Sequence, residues 1–352
     1  MQISPSELEI LQRCPQRFVW NLDKSKKTRK HANLSSALGN IAHKVLALAH
    51  HGEFNSVNNE DFELTFKKIW DEIESEEYKK IESEWPNSVV PRPIRWPKYF
   101  AVKASSMYLI ENLIKSGEVW PSLEVLSEKR GTSEKPFPWV ERFLASQNLK
   151  LKGIPDLVKK TSTGLEVIDY KTGSVVDANV FSMQLHIYLM LVNELSSEKV
   201  TKLLVRDFSL QETEVPIDDQ MIKTIRNNIE KAEEYLNTQT APTEVSLENC
   251  RYCSFKGECS DFQNSKLLET SEPIFLEGQI LQIHSSEDSS RVSLQLEIRR
   301  AIPINFGGTI WISGLSFRPN LSNGDFVQVS ENLHLSDSLN VIGSWNTELV
   351  VI

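Results

Sequence analysis

The feature that most constrains the fold is a set of four cysteines at the two ends of a long stretch of chain. Cys14 stands alone in QRCPQRF, whereas Cys250, Cys253 and Cys259 lie within CRYCSFKGEC. The C-x2-C spacing is typical of metal ligands, and a disulfide framework is unfavourable in a reducing cytoplasm. A shared four-thiolate site would close residues 14–259 into one loop. Zinc and an iron–sulfur cluster both suit four thiolates, and the spacing alone favours zinc.

Composition indicates a globular protein of 352 residues with room for a large and a smaller domain. No apolar run is long enough for a membrane span, and the first residues lack the pattern of a signal peptide. We therefore expect a cytoplasmic protein with no membrane partner.

The net charge of −9 disfavours a nucleic-acid partner, but one segment is strongly basic. Residues 24–30 hold five basic side chains in seven, and such a patch can attract phosphate. A solvated charge run before a helix explains it equally well. The basic residues considered for DNA binding are Lys26, Lys27, Arg29 and Lys30.

The periodicity of the apolar residues changes twice along the chain. It predicts helices up to about residue 118, short strands from 121 to 173, and an alternation of helices and strands after that. Residues 60–118 form a separate helical block. The tail, 271–352, consists of short alternating strands, which favours a small barrel or sandwich, an OB-like barrel being one candidate. We expect one domain at 1–265 and another at 271–352.

The segment EVIDYKTG places charged residues at the end of an apolar strand. Asp169 and Lys171 are two residues apart and therefore share a face of the strand. A hairpin through the turn at 161–164 would bring Asp156 of GIPD to the same end of the sheet. Two carboxylates with a backbone carbonyl suit Mg²⁺ or Mn²⁺, and Lys171 would lie near the attacking water. A surface Asp–Lys pair of little energetic value is the alternative interpretation.

The Asp of GIPD, followed by apolar-Asp-x-Lys-x-Gly, resembles the PD-(D/E)XK nuclease superfamily, and most closely its RecB-like exonuclease branch. That branch carries a metal-binding His on an early helix, as in ALGNIAHKVL, and a later Gln-x3-Tyr, as in MQLHIYLML. By residues alone, His43 would be an ordinary histidine on an amphipathic helix. The matching positions are His43, Asp156, Asp169, Lys171, Gln184 and Tyr188.

The resemblance implies an α/β fold: a restriction-endonuclease-like mixed sheet flanked by helices, with a helical insertion and a small C-terminal all-β domain. His43, Asp156, Asp169 and the carbonyl of Tyr170 would hold the metal. Glu128 would match a glutamate that the branch often carries on its first core strand.

The cysteine pattern is similar to that of AddB-type and CRISPR-associated RecB-like nucleases. This second resemblance implies a structural [4Fe–4S] cluster at Cys14, Cys250, Cys253 and Cys259, in place of the zinc that spacing favours.

Together these resemblances imply a Mg²⁺- or Mn²⁺-dependent exonuclease that prefers single-stranded DNA and acts in repair or processing. One alternative is a DNA-end or single-strand binding subunit of a helicase or CRISPR adaptation complex. Another is a zinc-stapled interaction protein. Three aromatic residues of the tail, Trp311, Phe317 and Phe326, are candidates for base stacking or for the core.

Overall fold

The computed structural model divides the chain into two compact units. The first comprises Met1–Gln12, Asn33–Tyr78 and Arg92–Asn237, and the second Arg13–Ala32, Lys79–Pro91 and Thr238–Ile352. The structure describes residues 1–23, 25, 33–54, 61–84, 90–118, 137–173, 175, 177–265, 272–286, 291–303, 307–316, 321–330, 333–336, 340–344 and 347–352.

Nine α-helices lie within these described residues. Their bounds are α1 Pro5–Arg13, α2 Pro15–Leu22, α3 Leu34–His50, α4 Phe62–Glu84, α5 Tyr99–Ser116, α6 Ser182–Leu195, α7 Asp219–Thr238, α8 Leu247–Cys250 and α9 Ser260–Gln263. Short 3-10 turns occupy Pro93–Arg95 and Ala178–Phe181. None of the described helices is long and apolar enough to cross a membrane.

The first unit is built on a five-stranded mixed sheet. Its strands are β1 Trp139–Val140, β4 Leu157–Lys160, β5 Leu165–Lys171, β6 Val200–Asp207 and β7 Glu212–Val215, in the order β1-β4-β5-β6-β7. Only β5 and β6 are parallel, and the other pairs are antiparallel. A separate hairpin consists of β2 Leu144–Ser146 and β3 Leu151–Gly153. Helix α6 packs against β2, β3, β5 and β6.

The register of three strands gathers polar residues at one edge of this sheet. Val140 pairs with Leu157, which in turn pairs with Ile168. Three acidic residues are therefore neighbours: Glu141 follows β1, Asp156 precedes β4 and Asp169 follows Ile168 in β5. The predicted hairpin between β4 and β5 is present, closed by the Thr161 amide donating to the Gly164 carbonyl at 2.8 Å.

Helix α3 begins with a well-formed cap. The Asn33 side chain accepts hydrogen bonds from the amides of Ser35 and Ser36, which satisfies two of the free donors of the first turn. The apolar stripe of α3 is buried, so the neighbouring position His43 is fixed at the margin of the core.

The second unit contains a seven-stranded sheet. Its strands are β8 Phe275–Ser285, β9 Arg291–Ile302, β10 Gly308–Ser316, β11 Phe326–Ser330, β12 His334–Leu335, β13 Val341–Ile342 and β14 Glu348–Val351. The order is β12-β13-β10-β9-β8-β11-β14, with β10 and β13 parallel. A continuous apolar core, including Leu294, Leu296 and Val327, fills its interior.

This sheet must curl round on itself. Strands β13 and β14 are joined by residues 343–347 yet lie five strand spacings apart in the order, about 24 Å in a flat sheet. The six Cα-to-Cα steps from Ile342 to Glu348 reach at most about 21 Å when fully extended. The Thr347 amide donates to the Ser344 carbonyl at 3.0 Å, so the distance available to the connection is shorter still. A barrel is therefore favoured over a sandwich, and an OB-like barrel stays a prediction.

The predicted α/β class, the flanking helices and the C-terminal all-β region are confirmed. The division into domains at 1–265 and 271–352, with 60–118 as an insertion, stays a prediction, because compactness does not test which segments fold alone. The basic residues Lys26, Lys27, Arg29 and Lys30 lie outside the described residues, as do Glu128 and Phe317.

Candidate active site

Three potential metal ligands meet at the polar edge of the first unit. His43 of α3, Glu141 after β1 and Asp156 before β4 each offer a ligand atom, and these atoms all lie within 4.8 Å of one another. His43 Nδ1 is 3.2 Å from Asp156 Oδ1 and 3.8 Å from Glu141 Oε1. Glu141 has a left-handed backbone with φ of 44°, and its amide donates to the Asp156 carbonyl at 3.0 Å.

The protonation of this group follows from burial and proximity. Burial lowers the pKa of His43, but the Asp156 and Glu141 carboxylates outweigh that effect and raise it to about 10. Burial raises the pKa of Asp156, yet the charge and hydrogen bond of His43 hold it below its usual value. Burial and the charge of Asp156 raise the pKa of Glu141. Without another cation, the His43 imidazolium compensates the carboxylates.

The predicted Asp–Lys pair lies next to this group. Asp169 is 2% exposed, and Lys171 Nζ lies 2.6 Å from its Oδ2. That oxygen nevertheless accepts no aligned hydrogen bond within the described part of the chain, so the contact is an ion pair only. Burial and the neighbouring Asp156 charge raise the pKa of Asp169 to about 6, and Lys171 opposes the rise.

The Gln-x3-Tyr pair of α6 completes the arrangement. Gln184 Nε2 donates to Asp169 Oδ1 at 3.0 Å and to the Tyr188 hydroxyl at 2.9 Å. Lys171 Nζ donates to Gln184 Oε1 at 3.4 Å. Burial raises the pKa of Tyr188 well above its usual range, so its hydroxyl remains protonated. One amide thus orients the carboxylate and the ammonium together.

Tyr170, between Asp169 and Lys171, anchors the strand to its surroundings. Its amide donates to Asp156 Oδ2 at 2.5 Å, which links the two aspartates through the backbone. Its hydroxyl lies 3.2 Å from Nε2 of the buried His50, and burial lowers the pKa of His50 to about 4. The role of the Tyr170 carbonyl as a ligand stays a prediction.

The donor set fits a divalent metal ion. Carboxylate oxygens and one imidazole are ligands that Mg²⁺ and Mn²⁺ accept. Glu141, Asp156 and Asp169 supply three carboxylates against the one imidazole of His43 and the one ammonium of Lys171, so a further cation would balance the group. All six predicted residues of the site, from His43 to Tyr188, lie in this one region of the first unit. Sequence reasoning did not predict Glu141, and Glu128, the glutamate that it considered, lies outside the described residues.

Two cavities adjoin the site, and different site residues line each of them. One, of about 590 Å³, is lined by His43, Glu141 and Asp156 together with residues of α3 such as Lys44. The other, of about 580 Å³, is lined by Lys171, Gln184 and Tyr188. The site groups are thus accessible to a substrate from the surface of the unit.

The four cysteines lie together in the second unit. Cys14 caps α2, Cys250 ends α8 and Cys259 caps α9, and all four line one small cavity. Hydrogen bonds attach the Cys14 segment to the other three. The Gln16 amide donates to the Pro242 carbonyl at 3.1 Å, and Asn249 Nδ2 donates to the Arg13 carbonyl at 2.8 Å.

Two cations line the cysteine cavity as well. Lys256 is 2% exposed, and its ammonium donates to the Arg251 carbonyl at 2.6 Å. Arg17 has a buried Nε that finds no hydrogen-bond acceptor within the described residues. Burial raises the pKa of Cys253 to about 11, while Arg17 and Lys256 oppose the rise. Buried cations beside four thiols fit an anionic thiolate centre.

The family model of the PD-(D/E)XK nuclease superfamily matches residues 2–260, and the chain belongs to that superfamily. The predicted superfamily is thereby confirmed. The chain is similar to the CRISPR-associated exonuclease Cas4 of Francisella tularensis subsp. novicida (strain U112), with 25% identity over 177 residues, 49% of this chain and 88% of the relative. The crystal structure of SSO0001 is similar over 48% of this chain and 81% of that one, at 20% identity and a TM-score of 0.22.

Proposed function

We propose that the protein is a divalent-metal-dependent deoxyribonuclease that hydrolyses phosphodiester bonds as an exonuclease on single-stranded DNA or at DNA ends. The observation that carries the proposal is the meeting of His43, Glu141 and Asp156 beside the Asp169–Lys171 pair. The Cas4 relative is named as an exonuclease, which supports the exonucleolytic part of the proposal.

His43, Glu141, Asp156 and Asp169 would hold Mg²⁺ or Mn²⁺. A bound ion supplies Lewis acidity and neutralises charge at the phosphate. The Lys171 ammonium is held by Asp169 and Gln184, so its charge is available to a phosphate oxygen that becomes more negative during the reaction. Gln184 fixes both partners, and the protonated Tyr188 hydroxyl fixes Gln184.

The test is cleavage of end-labelled single- and double-stranded DNA with Mg²⁺, Mn²⁺ or a chelator. The variants are Asp169→Asn and Lys171→Ala, which remove one charge each from the ion pair. We expect metal-dependent release of short products by the wild type, and a loss of at least about 100-fold in each variant, as for removal of a group that stabilises the transition state.

Matched controls change the same residue types away from the site. Asp71→Asn alters a carboxylate that pairs with Lys103, and Lys160→Ala alters an exposed lysine that pairs with Glu198. Both should cut like the wild type. Undiminished cutting by both site variants would refute the assignment. DNA binding without cutting by the metal-loaded wild type would favour the alternative, a binding subunit of a helicase or adaptation complex.

We also propose that the four cysteines bind a [4Fe–4S] cluster. The four cysteines line one cavity together with Arg17 and Lys256, which supports an anionic thiolate centre. The similarity of the cysteine pattern to that of CRISPR-associated RecB-like nucleases favours the cluster over zinc. Iron and sulfide analysis of anaerobically prepared protein tests the proposal, and stoichiometric zinc in a colourless protein would contradict it.

A further inference from the structure

An apolar cleft opens beside Lys171 on the surface of the first unit. Its cavity of about 580 Å³ is within the roughly 300–1,000 Å³ range of small-molecule sites. Phe143, Ile154 and Val180 line it and are 61%, 44% and 74% exposed. They come from three separate segments: the end of the β1–β2 connection, the residue after β3 and the 3-10 turn before α6.

The position of the cleft argues for a substrate rather than for chance exposure. Single exposed apolar residues are ordinary, but a group that converges on one cavity marks a binding surface. The same cavity is lined by Lys171, Gln184 and Tyr188, so a molecule in it contacts the reacting end of the site. Phe181 also lines the cleft and contacts the candidate active site, because Lys171 Nζ lies 4.3 Å from the centre of its ring.

Charge indicates which part of a nucleotide fits. The two lysines that line the cavity are each paired with a carboxylate, Lys171 with Asp169 at 2.6 Å and Lys152 with Glu7 at 3.2 Å. Lys171 is the cation proposed to meet the scissile phosphate, and the side chains of Phe143, Ile154 and Val180 offer no charge to a second phosphate. A flat aromatic base, in contrast, gains by stacking on an exposed phenyl ring.

We infer that this cleft binds one unpaired nucleobase of the substrate strand, next to the scissile phosphate, with Phe143 as the stacking surface. The inference rests on the proposed nuclease function and adds a reason for single-strand preference. In a duplex, each base is stacked on both faces and paired at its edge, so it can enter the cleft only after it unpairs. A single strand or a frayed end presents its bases freely.

The test is an abasic scan. Single-stranded oligonucleotides, each lacking one base at a different position, are cut by the wild type and by Phe143→Ala under single-turnover conditions with Mn²⁺. In the wild type, removal of one base beside the cut should slow cleavage by roughly tenfold, the loss of one base–aromatic stack. In Phe143→Ala, cleavage of the intact strand should slow by a similar factor, and removal of that base should have no further effect.

Two further variants make the test specific. Phe143→Trp retains a stacking surface and should restore the sensitivity to the base. Phe100→Ala removes a phenylalanine that is 67% exposed on α5 and does not line the cleft, so it should behave like the wild type. Thermal unfolding of each variant identifies any loss of folded protein.

The outcomes separate the two proposals. Wild-type protein that cuts no DNA refutes the nuclease function and this inference with it. Wild-type protein that cuts DNA, with equal base sensitivity in Phe143→Ala, refutes the cleft alone. Cleavage that is insensitive to every single abasic position also refutes base binding in the cleft. A protein partner would then be the alternative occupant of its apolar walls.

Discussion

Glu141→Gln tests whether Glu141, which sequence reasoning did not predict, is a metal ligand. The change keeps the size of the side chain and removes one carboxylate from the group around His43. In the metal-free protein it should have little effect on stability. The carboxylate is repelled by Asp156, which helps to raise its pKa, and its side chain is 34% exposed, so its 3.8 Å contact with His43 is screened. We expect a metal-free unfolding free energy within about 1 kcal/mol of the wild type.

The effect should appear when metal is added. At an ion concentration 100 times its dissociation constant, binding stabilises a folded protein by about 2.7 kcal/mol. Loss of a residue that only hydrogen-bonds to a metal ligand already weakens metal binding by about 10–100-fold. We use the same range for the loss of the Glu141 carboxylate. At the same Mn²⁺ concentration, the stabilisation of the variant would fall to about 0.4–1.4 kcal/mol.

The assay is urea unfolding with and without Mn²⁺, combined with cleavage of a labelled strand. Glu198→Gln is the matched control, because Glu198 is 33% exposed and pairs with the exposed Lys160. A variant that keeps the full Mn²⁺-dependent stabilisation would show that Glu141 is not a ligand. A variant that unfolds readily without metal would show that the residue is structural.

Three further predictions follow. Burial lowers the pKa of His50 to about 4, so between pH 6.5 and pH 4 only the unfolded chain takes up a proton at this residue. The free energy of unfolding should therefore fall by up to about 3 kcal/mol towards pH 4. His50→Gln should remove this part of the pH dependence in urea unfolding. Lys256→Met should let a chelator strip the cysteine centre faster, because the variant lacks a buried positive charge beside the cysteines; equal stripping rates would contradict this. Gly153→Ala should slow DNA cleavage but leave Mn²⁺ affinity intact, since the new Cβ would lie 2.8 Å from Tyr188 Cε1 and displace that ring.

The Asp169–Lys171 pair could be predicted because its information is local. A strand with side chains on alternating faces places residues two apart side by side, whatever the rest of the fold does. The same is true of Gln184 and Tyr188, which are four apart on α6 and joined by a 2.9 Å hydrogen bond. A short hairpin then fixes Asp156, since only one turn separates it from β5.

Glu141 could not be found in this way because its position depends on tertiary pairing. Strand β1 is only two residues long, too short for an alternating pattern. Its antiparallel register with β4 places Glu141 beside Asp156, and the residue adopts a φ of 44°, which sequence does not predict for glutamate. One signal was present: Glu141, like Asp169, is an acidic residue in a β-rich, apolar stretch.

The closure of the C-terminal sheet could not be predicted from the apolar alternation within each strand. Alternation predicted β8 to β11 well enough, but the parallel pairing of β10 with β13 joins residues far apart in the sequence. Only that pairing, with the short connection to β14, distinguishes a barrel from a sandwich. Trp311 contacts His284, with ring centres 4.9 Å apart, and Arg299 lies over the ring of Phe326, so these two aromatics have partners within the unit.

The two candidate centres have opposite imbalances of charge. At the first, the carboxylates of Glu141, Asp156 and Asp169 lie near one imidazole and one ammonium, that of Lys171, which is 2.6 Å from Asp169 Oδ2. At the second, the buried Lys256 and the buried Nε of Arg17 line a cavity together with four cysteines. A nearby charge favours the oppositely charged form of a titratable group. The first centre therefore favours an added cation, and the second favours deprotonated thiols that carry negative charge, which is the state in which cysteines bind metal.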